Sequence, residues 1–512
     1  MPAVVDQAEV CAFLKSPAAW PGVAGPVDCI ETHGALVFMA GQTTLKVRRA
    51  VRLPYLDFST LEARRKFAER EVELNAPHAA GLYHGVIAIT RETDGRLSIG
   101  GAGPVVEWAV KMARFGQEAL LSAIAEAGGV DDALARSLAE AVMTYHASVP
   151  PRPGADDRVP KIVTSVTTAI AADKDVRLGA AIARVAPLVV AALDRTVAIR
   201  AERARDGYIR RCHGDLHLGN VVMWQGRPAP FDAIEFDEQI ATIDTLYDLA
   251  FLLMDLDRHG ARRAANIVLN HYLWRSGDMR DLAGLASLPL YIGLRALIRA
   301  MVGIDRARLG VGDTDAQLEQ ARAMIARAET YLKPAPARFV AIGGLSGTGK
   351  TTVARALAPS LGAVPGAVHV RSDLERKWLA GIAETERLPS QSYTAEASEA
   401  AYSRVMTRAE TALRAGQSVI VDAVFARPGE RDAVEALARR CGAEFKGIWL
   451  SGAADVLKDR VARRVGDASD ATPDIVDKQL GYAIGAIGWD VVAADGNPAS
   501  VEADVRAALN LK

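Results

Sequence analysis

Cysteine is scarce in this sequence, and so is net charge of either sign. The four cysteines, Cys11, Cys29, Cys212 and Cys441, are scattered and form no C-x-x-C pair. This pattern argues against structural zinc and fits a reducing cytoplasm. The formal net charge of the 512 residues is only −1, so there is no electrostatic case for a nucleic-acid partner or an anionic membrane.

Long uninterrupted apolar runs are also missing. The two most apolar stretches, residues 178–193 and 282–304, are each broken by charged residues or proline, so we expect neither to span a membrane. Residues 1–14 lack a basic segment, so we expect no signal peptide. A chain of 512 residues is long enough for two or three domains, each with its own core.

The first motif lies at residues 213–220, which read His-Gly-Asp-Leu-His-Leu-Gly-Asn. Phosphoryl transfer from ATP needs a carboxylate that orients the acceptor hydroxyl and takes its proton, which Asp215 supplies here. It also needs an oxygen ligand for Mg²⁺, which Asn220 supplies. Protein kinases place the same pair in an H-R-D-x-x-x-x-N loop. The His-Gly-Asp order resembles the aminoglycoside phosphotransferase and choline kinase branch of that fold; a surface turn is the alternative.

That resemblance implies a lysine on the third strand of an N-terminal lobe, where it holds the α/β-phosphates of ATP. Residues 30–49 alternate as strands and contain Lys46, the candidate for this role. Arg48 and Arg49 compete with it, and a solvated basic strand end is the alternative. The Gly-rich phosphate loop usual in kinases is missing, since only Gly34 lies in the first turn.

A helix follows, and one of its glutamates is expected to pair with the strand lysine. We choose Glu71, because the resemblance implies an E-x-x-x-N pattern and Asn75 follows four residues later. A solvent-exposed glutamate on a charged helix is the alternative. In this fold the adenine base binds to backbone at an inter-lobe strand, here residues 105–110. By position alone, Glu107 and Ala109 are predicted to contact the cofactor.

A hairpin is predicted after the loop, and its far strand carries the acidic residues of 232–237. The resemblance implies Ile-Asp-Phe or Ile-Asp-Trp there, with the aspartate binding Mg²⁺. The matching position holds Glu235, whose carboxylate can also ligate Mg²⁺. The predicted metal ligands are therefore Asn220, Glu235 and Asp237, with Asp232 as the fallback. The acids of the following segment, residues 244–248, are expected to hold the catalytic loop.

The second motif follows a Pro/Ala-rich linker at residues 331–337. A buried-strand run at 339–343 leads into G-x-x-x-x-G-K-[ST] at residues 344–351, and a helix follows, which is the context that this phosphate-binding loop requires. Lys350 is expected to reach the β/γ-phosphates, and the Thr351 hydroxyl to bind Mg²⁺. The predicted nucleotide-binding residues are Gly344, Ser346, Gly347, Thr348, Gly349, Lys350, Thr351 and Thr352.

Further strands are predicted at residues 367–371, 418–422, 444–450 and 489–494, which gives a five-stranded α/β layered sheet. Polar residues follow the strand ends, where such sheets bind ligands.

Asp373 and Arg376 resemble the D-x-x-R of polynucleotide and small-metabolite P-loop kinases, which implies an acceptor-activating aspartate and an acceptor-binding arginine. Asp422 suits a metal role.

Three arginines, Arg460, Arg463 and Arg464, are expected on one helix before residues 466–471. This segment resembles the lid of gluconate- and shikimate-kinase-like enzymes, which implies that the arginines neutralise the transferring phosphate. Arg460 and Arg464 are the catalytic candidates. A solvated helix face is the alternative for each arginine taken separately.

Taken together, the chain resembles a bacterial family that fuses an aminoglycoside-phosphotransferase-like domain to a P-loop kinase domain of the gluconate kinase, polynucleotide kinase and zeta toxin type. We therefore expect an α/β multidomain protein with a bilobal, protein-kinase-like α+β part followed by a P-loop NTPase domain with a five-stranded, mainly parallel sheet. The predicted boundaries are an N-lobe at 1–106, a helical C-lobe at 107–330, a linker at 331–337 and a P-loop kinase domain at 338–512.

The leading hypothesis is a cytoplasmic protein with two Mg²⁺–ATP phosphotransferase centres that act on hydroxyl groups of small metabolites, such as sugars, aminoglycoside-like compounds or amino alcohols. One alternative makes the first domain a nucleotide-sensing regulator of a P-loop small-molecule kinase. Another is a nucleic-acid end kinase, which the near-neutral charge argues against. The sequence leaves the acceptor, the activity of each centre, the acid that replaces the usual metal-binding aspartate and the oligomeric state open.

Overall fold

The computed structural model describes residues 7–32, 34–53, 56–310, 312–333, 335–389, 392, 394–464 and 468–511. Pro334 of the predicted linker and residues 466–467 of the predicted lid lie outside the described residues.

The strands within these residues are β1 (Asp28–Glu31), β2 (Ala35–Ala40), β3 (Thr43–Arg48), β4 (Arg52–Leu53), β5 (Leu56–Asp57), β6 (Tyr83–Arg91), β7 (Leu97–Ile99), β8 (Val105–Ala113), β9 (Ile209–Arg211), β10 (Val221–Trp224), β11 (Arg227–Pro230), β12 (Thr242–Asp244), β13 (Arg338–Gly344), β14 (Val368–Arg371), β15 (Val419–Asp422), β16 (Glu444–Ser451) and β17 (Asp490–Ala493).

The α-helices are α1 (Ala8–Lys15), α2 (Leu61–Asn75), α3 (Leu121–Glu126), α4 (Asp132–Ser148), α5 (Val159–Ala171), α6 (Val176–Arg195), α7 (Val197–Arg205), α8 (Glu238–Ala241), α9 (Thr245–Arg258), α10 (Arg262–Ser276), α11 (Met279–Gly284), α12 (Leu288–Arg308), α13 (Thr314–Leu332), α14 (Lys350–Leu357), α15 (Ser372–Leu379), α16 (Ala395–Arg414), α17 (Pro428–Cys441), α18 (Ala454–Ala462), α19 (Pro473–Leu480) and α20 (Pro498–Ala508).

The chain divides by packing into two units. Unit 1 comprises Met1–Ala155 and Asp206–Asp255, and unit 2 comprises Asp156–Arg205 and Leu256–Lys512. The helices α10 to α13 therefore group with the P-loop sheet, although the sequence placed them in the kinase-like helical lobe. Packing units need not coincide with sequence modules, so the predicted domain boundaries stay a prediction.

Unit 1 is built on a six-stranded sheet in the order β1-β2-β3-β8-β6-β7. Its neighbouring strands pair antiparallel. Alternate residues of a strand face the same side of the sheet, and Phe38, Leu45 and Val47 enter one buried cluster. The helix α2 begins at its N-cap Thr60, whose hydroxyl accepts from Ala63 N–H, and it packs against β8 and β6.

The motif at residues 213–220 forms the loop between β9 and β10. The predicted hairpin is confirmed, but its second strand is shorter than expected. β10 and β11 pair from Val221↔Pro230 to Trp224↔Arg227. The turn between them is Gln225–Gly226, where both residues have positive φ, at 50° and 79°. This is the backbone that a two-residue hairpin turn requires. The chain therefore leaves the strand at Pro230, just before Asp232.

Unit 2 contains the predicted five-stranded sheet, in the order β14-β15-β13-β16-β17. Its paired strands are parallel throughout. The strand order reverses around β13, which is the doubly wound arrangement in which ligands bind beyond the carboxyl ends of the strands. Residues Val340, Ile342, Ile420 and Ile448 form the centre of a buried cluster with α14 and α20.

The edge strand β14 of this sheet is covered by α10. Asn270 Oδ1 accepts from His369 N–H at 2.7 Å, and the side-chain amides of Asn266 and Asn270 donate to Ala367 O at 3.0 and 3.1 Å. Backbone groups that an edge strand leaves unpaired are thus satisfied by side chains of a helix.

Two helical stretches in the described residues, Val176–Arg195 and Met279–Arg308, are long and apolar enough for a membrane span. Buried core helices of soluble proteins share these properties, and here α6 packs against α5 and α13. The expectation of no membrane span stays a prediction.

Candidate functional site

Lys46 lies at the centre of the first group of site residues. Its Nζ is 2.9 Å from Glu71 Oε1, and it also pairs with the carboxylate of Asp232. Burial lowers the pKa of Lys46, but the charges of Asp232 and Glu71 more than offset this and hold the pKa above its ordinary value. The strand β3 and the helix α2 thus present the expected lysine–glutamate pair.

A second cation, Arg48, joins the same network from the same face of β3. It pairs with Glu71, which is fully buried, and with Glu235 at 2.5 Å. Burial lowers the pKa of Arg48, but Glu71 and Glu235 raise it above its usual value. Arg48 therefore serves as an ion-pair partner inside the lobe.

Glu235 does not lie where the sequence predicted a metal ligand. Its side chain is 3% exposed and faces Arg48. Burial raises the pKa of Glu235 to about 7. Because β11 ends at Pro230, the acid beside Lys46 is Asp232 and not Glu235, so Glu235 pairs with Arg48 and the fallback, Asp232, becomes the candidate metal ligand.

Asp232 occupies the position beside Lys46, with a side chain that is 39% exposed. Its φ is +61°, a conformation that aspartate adopts more readily than most residues. Its backbone N–H donates to Tyr83 Oη at 3.2 Å, and the next N–H, of Ala233, donates to Asn75 Oδ1 at 2.9 Å. Asn75 of the predicted E-x-x-x-N pattern thus holds the segment that carries this carboxylate.

Asp237 and Glu107, two further predicted site residues, have other partners. Asp237 is the N-cap of α8, where its Oδ1 accepts from Gln239 and Ile240 N–H. Glu107 Oε1 accepts from Arg64 Nε at 2.8 Å inside the lobe. In the structure Asp237 is thus a capping residue and the Glu107 side chain is an ion-pair partner, and their roles as metal ligand and cofactor contact stay predictions.

Ala109 is also corrected as an adenine contact. It lies in mid-strand, paired opposite Val47 of β3 and Ile87 of β6, so both edges of β8 are occupied around it. The strand ends at Ala113, and a backbone site for a base would lie beyond that point.

The loop that carries Asp215 brings the side chains of Asp215, His217 and Asn220 together. Asn220 Nδ2 donates to Asp215 Oδ2 at 3.0 Å and to Asp215 O at 3.0 Å. His217 Nδ1 accepts from Gly219 N–H at 3.0 Å, so the proton of the neutral ring lies on Nε2, 3.3 Å from Asp215 Oδ2. The Asp215 side chain is 41% exposed. Asp215 and Asn220 are thus adjacent, as their spacing predicted.

Two aspartates of α9 hold this loop. Asp248 accepts from the N–H groups of His213 and Gly214 at 3.1 and 2.9 Å, and Asp255 accepts from Leu218 N–H at 2.9 Å. The expected role of the acids after residue 244 is seen directly at Asp248, which is fully buried.

The loop also connects to the Asp232 segment. Phe231 N–H donates to Asn220 O at 3.0 Å, and Ile234 N–H donates to His213 O at 3.0 Å. The charge of Asp215 acts on Asp232 and tends to raise its pKa. Burial also raises this pKa, but Lys46 and Arg48 bring it below its ordinary value. The backbone bonds and this charge effect thus place Asp215 near Asp232, which in turn pairs with Lys46.

The P-loop of unit 2 requires glycine for a geometric reason. A Cβ at Gly344 would lie 2.5 Å from Leu450 O, and one at Gly347 would lie 2.5 Å from Leu457 O. Both positions also have φ in the left-handed region, at 140° and 89°. The loop leads into α14, whose first residue, Lys350, donates from Nζ to Leu345 O at 2.9 Å.

Two carboxylates face Lys350 from the ends of β14 and β15. Burial lowers the pKa of Lys350 to about 8, against the opposing charges of Asp422 and Asp373. Burial would raise the pKa of Asp422, but a 2.6 Å hydrogen bond to His369 Nε2 and nearby cations bring it to about 2. Burial raises the pKa of Asp373. The structure thus brings three predicted residues together at the carboxyl edge of the sheet.

The predicted arginines are separated. Arg376 donates to Ser392 O at 2.8 Å, so it orders the segment that follows α15. Arg460 is corrected, because it donates to Ala494 O and Gly496 O beyond β17. Arg463 is exposed and pairs with Asp459. Arg464 follows the end of α18, and its charge lowers the pKa of Lys350, so it is the lid candidate that lies near the loop.

Gln479 of α19 also contacts the P-loop. Its Oε1 accepts from Ser346 N–H at 2.8 Å, and the residue is 7% exposed. Gln479, His369 and His217 were not among the site residues predicted from the sequence. His217 could have been identified from its place within the loop motif, whereas Gln479 and His369 lie on separate elements and carry no local pattern.

Known protein families and solved structures include several that are similar to parts of this chain. Residues 339–483 match the family described as AAA domain. A choline/ethanolamine kinase family protein from Mesorhizobium loti is 16% identical, covers 63% of this chain and 98% of its own, and gives a TM-score of 0.39. A sugar kinase from Janibacter sp. is 22% identical, covers 34% of this chain and 96% of its own, and gives a TM-score of 0.27.

The likeness that extends along the chain is to a mycobacterial protein. The uncharacterized protein Rv2004c of Mycobacterium tuberculosis is 30% identical over 460 residues, which cover 88% of each chain. The chain therefore belongs to the family of Rv2004c.

Proposed function

We propose that this chain carries two Mg²⁺–ATP phosphotransferase centres that act on hydroxyl groups of small metabolites. The observation that carries the proposal is the grouping of Asp215, Asn220 and Asp232 beside the Lys46–Glu71 pair. These are the parts that phosphoryl transfer requires, namely a base, a metal ligand pair and a phosphate-binding cation.

In the first centre, Lys46 binds the nucleotide phosphates while Glu71 keeps its ammonium group in place. Asp215 orients the acceptor hydroxyl and takes its proton, and the Nε2–H of His217 helps to fix that carboxylate. Asp248 and Asp255 keep the loop in position through the backbone bonds described above. Transfer therefore depends on positioning rather than on a covalent intermediate.

The metal site of this centre fits Asn220 and Asp232. Both offer oxygen atoms, which Mg²⁺ prefers, and the Asp232 carboxylate is accessible, whereas Glu235 is buried against Arg48. Mg²⁺ bound there would neutralise charge on the phosphates. The unexpected glutamate is thus no argument that this centre has lost its metal.

In the second centre, the P-loop amides and Lys350 bind phosphate at the start of α14. Asp373 takes the proton of an acceptor hydroxyl at the end of β14, and Thr351 and Asp422 would hold Mg²⁺ there. Asp422 fits this role because its pKa of about 2 keeps it ionised, and His369 fixes its orientation. Arg464 supplies positive charge on the lid side.

Within this proposal the protein acts in the cytoplasm on a small-molecule acceptor, without a membrane or nucleic-acid partner. The alternative in which the first domain only senses nucleotide keeps one argument, the missing Gly-rich loop. Its other argument, the glutamate at 235, is weakened by the position of Asp232.

The deciding experiment compares wild type, Asp215→Asn and Lys350→Ala. Each is incubated with Mg²⁺–ATP and a bacterial metabolite extract, and phosphorylated products are compared by mass. We expect two products, each lost in one variant, or a monophosphate that accumulates in one variant if transfer is sequential. A single product lost only in Lys350→Ala would make the first domain a regulator. Full transfer in both variants would contradict the proposal.

A further inference from the structure

The carboxyl-terminal end of α10 contacts the helix that carries Asp373. Trp274 Nε1 donates to Leu374 O of α15 at 3.2 Å, and the indole is 8% exposed. Trp274, Leu374 and Ala468 together form a small buried apolar cluster. One side chain of α10 thus touches both α15 and Ala468 of the predicted lid segment.

Two arginines of α16 make a second link between α10 and α15. The buried carboxylate of Glu375 pairs with Arg404 Nε at 2.7 Å and with Arg408 Nε at 3.0 Å. The same arginines donate to carbonyl oxygens at the end of α10, Arg404 to Gly277 O at 3.0 Å and Arg408 to Leu273 O at 3.1 Å. Cations are favourable at this end of a helix, where the carbonyl groups lack helical partners.

A third contact is made by Trp378 of α15, which packs against Arg404 and the C-cap of α10. The guanidinium of Arg404 lies 3.4 Å above the ring centroid of Trp378. A Cβ at Gly277 would approach Trp378 Nε1 to 2.0 Å. The side chain of α15 is thus packed directly on the C-cap of α10, where only glycine fits.

These contacts act on the acceptor side of the P-loop centre. Asp373 lies in the first turn of α15, one residue before Leu374 and two before Glu375. Ser469, which hydrogen-bonds to the Asp373 side chain, is adjacent to Ala468 of the Trp274 cluster. Trp274 of α10 therefore contacts Leu374, the residue after Asp373, and Ala468, the residue before the Ser469 that hydrogen-bonds to Asp373.

We propose that Trp274, Arg404 and Arg408 are positioning residues for acceptor binding at the P-loop centre, so that a helix outside residues 338–512 sets how that centre holds its acceptor. This inference rests on the proposed function of that centre. Its consequence is that the P-loop kinase domain depends on the preceding helices for its acceptor site.

The test uses the full chain with Trp274→Ala, Trp274→Phe and Arg404→Gln. The probe is the Lys350-dependent product formed from Mg²⁺–ATP and serial dilutions of a bacterial metabolite extract. For Trp274→Ala we expect the apparent KM for the extract to rise about tenfold, the loss that a small misplacement of an acceptor group produces, while the KM for ATP stays unchanged. Trp274→Phe, which keeps a ring, is expected to recover most of the loss.

Hydrogen exchange measured on the same variants separates this inference from the proposed function. Amides of residues 372–379 and 468–470 are expected to exchange faster in Trp274→Ala and Arg404→Gln. A matched control is Trp20→Ala, which removes an indole that also donates to a helical carbonyl, Leu14 O at 2.9 Å, and is also buried, but lies in unit 1. It is expected to leave both measurements unchanged.

Unchanged exchange in residues 372–379 would overturn the positioning role, as would an equal rise in the KM for ATP and for the extract. If Trp274→Ala does not fold, Arg404→Gln decides by the same criteria. If wild type forms no Lys350-dependent product, the proposed function of the centre fails, and faster exchange would then support only the structural support of α15 by α10.

Discussion

The two lysines that we propose as phosphate-binding groups differ in how their positive charge is compensated. Lys46 lies between Glu71 and Asp232, and its pKa is above the ordinary value even though burial lowers it. Lys350 donates to a backbone carbonyl, and burial lowers its pKa to about 8 although Asp422 and Asp373 oppose the shift. The same proposed role is thus assigned in unit 1 to Lys46, which is already paired with two carboxylates. In unit 2 it is assigned to Lys350, whose charge is only partly balanced by nearby carboxylates.

This difference teaches what each site needs from its ligand. In unit 1 the carboxylates already hold Lys46, so the nucleotide must compete with or complete an existing network. In unit 2 phosphate charge would supply the compensation that Lys350 lacks, and binding would raise its pKa. Nucleotide binding is therefore expected to depend on pH in the second centre and hardly at all in the first.

The largest expected effect concerns the carboxylate that completes the network of Lys46. Asp232→Asn removes the proposed metal ligand and one partner of Lys46, so we expect the Asp215-dependent product to fall by about a thousandfold. Glu235→Gln alters only the buried contact with Arg48. It is expected to retain the product and to lower the free energy of unfolding by about 1–2 kcal/mol.

Product formation and thermal unfolding, measured for both variants, check this prediction. Glu71 still pairs with Arg48 in Glu235→Gln, so its fold has a remaining anchor. The opposite pattern, in which Glu235→Gln loses the Asp215-dependent product and Asp232→Asn keeps it, would restore Glu235 as the metal ligand. It would also contradict the role given to Asp232 beside Lys46.

The positions of Asp232 and Glu235 in the structure also show which features of the site could be predicted from the sequence. Residues that act through local backbone, such as the P-loop glycines and the Asp215–Asn220 spacing, were found because their geometry is encoded within a few positions. The metal ligand that we propose, Asp232, was only the fallback in the sequence-based prediction, because Ile-Glu-Phe matched the pattern that the resemblance implies, whereas the end of β11 at Pro230 is not visible in the sequence.

The arginine predictions were limited by the same physics. Arg460, Arg463 and Arg464 were expected on one helix, but α18 ends at Ala462, so Arg463 and Arg464 lie beyond its last residue. Arg460 stays on the helix, and its side chain donates to carbonyls beyond β17. The five strands were predicted from apolar runs alone. The packing of α10 on β14 could not be predicted in this way. An asparagine that hydrogen-bonds to an edge strand far away in the sequence has no recognisable pattern in its own segment.

A medium effect is expected from pH. The kcat/KM for ATP of the Lys350-dependent product should be flat below pH 8 and fall about tenfold for each unit above it, because the free lysine loses its proton there. The Asp215-dependent product should show no fall in this range, since the pKa of Lys46 lies above its ordinary value. Rates of both products between pH 6.5 and 9.5 check this.

Lys350→Arg provides the control for the pH profile. Its guanidinium stays charged over the whole range, so the alkaline fall should disappear even where the absolute rate is lower. Parallel pH profiles for the two products of wild type would mean that the two lysines do not differ in this way.

The smallest expected effect concerns the P-loop amide that already has a partner. Gln479 Oε1 accepts from Ser346 N–H at 2.8 Å, so a phosphate oxygen that binds this amide must replace a hydrogen bond that the protein makes for itself. Gln479→Leu removes this competition, and we expect the KM for ATP of the Lys350-dependent product to fall by about fivefold, since one neutral hydrogen bond contributes about 1 kcal/mol. The matched control is Gln417→Leu, which removes a buried glutamine that donates to Leu285 O at 3.1 Å and should leave this KM unchanged. If Gln479→Leu raises the KM instead, the glutamine supports the nucleotide-bound loop, and the second centre is as preorganised as the first.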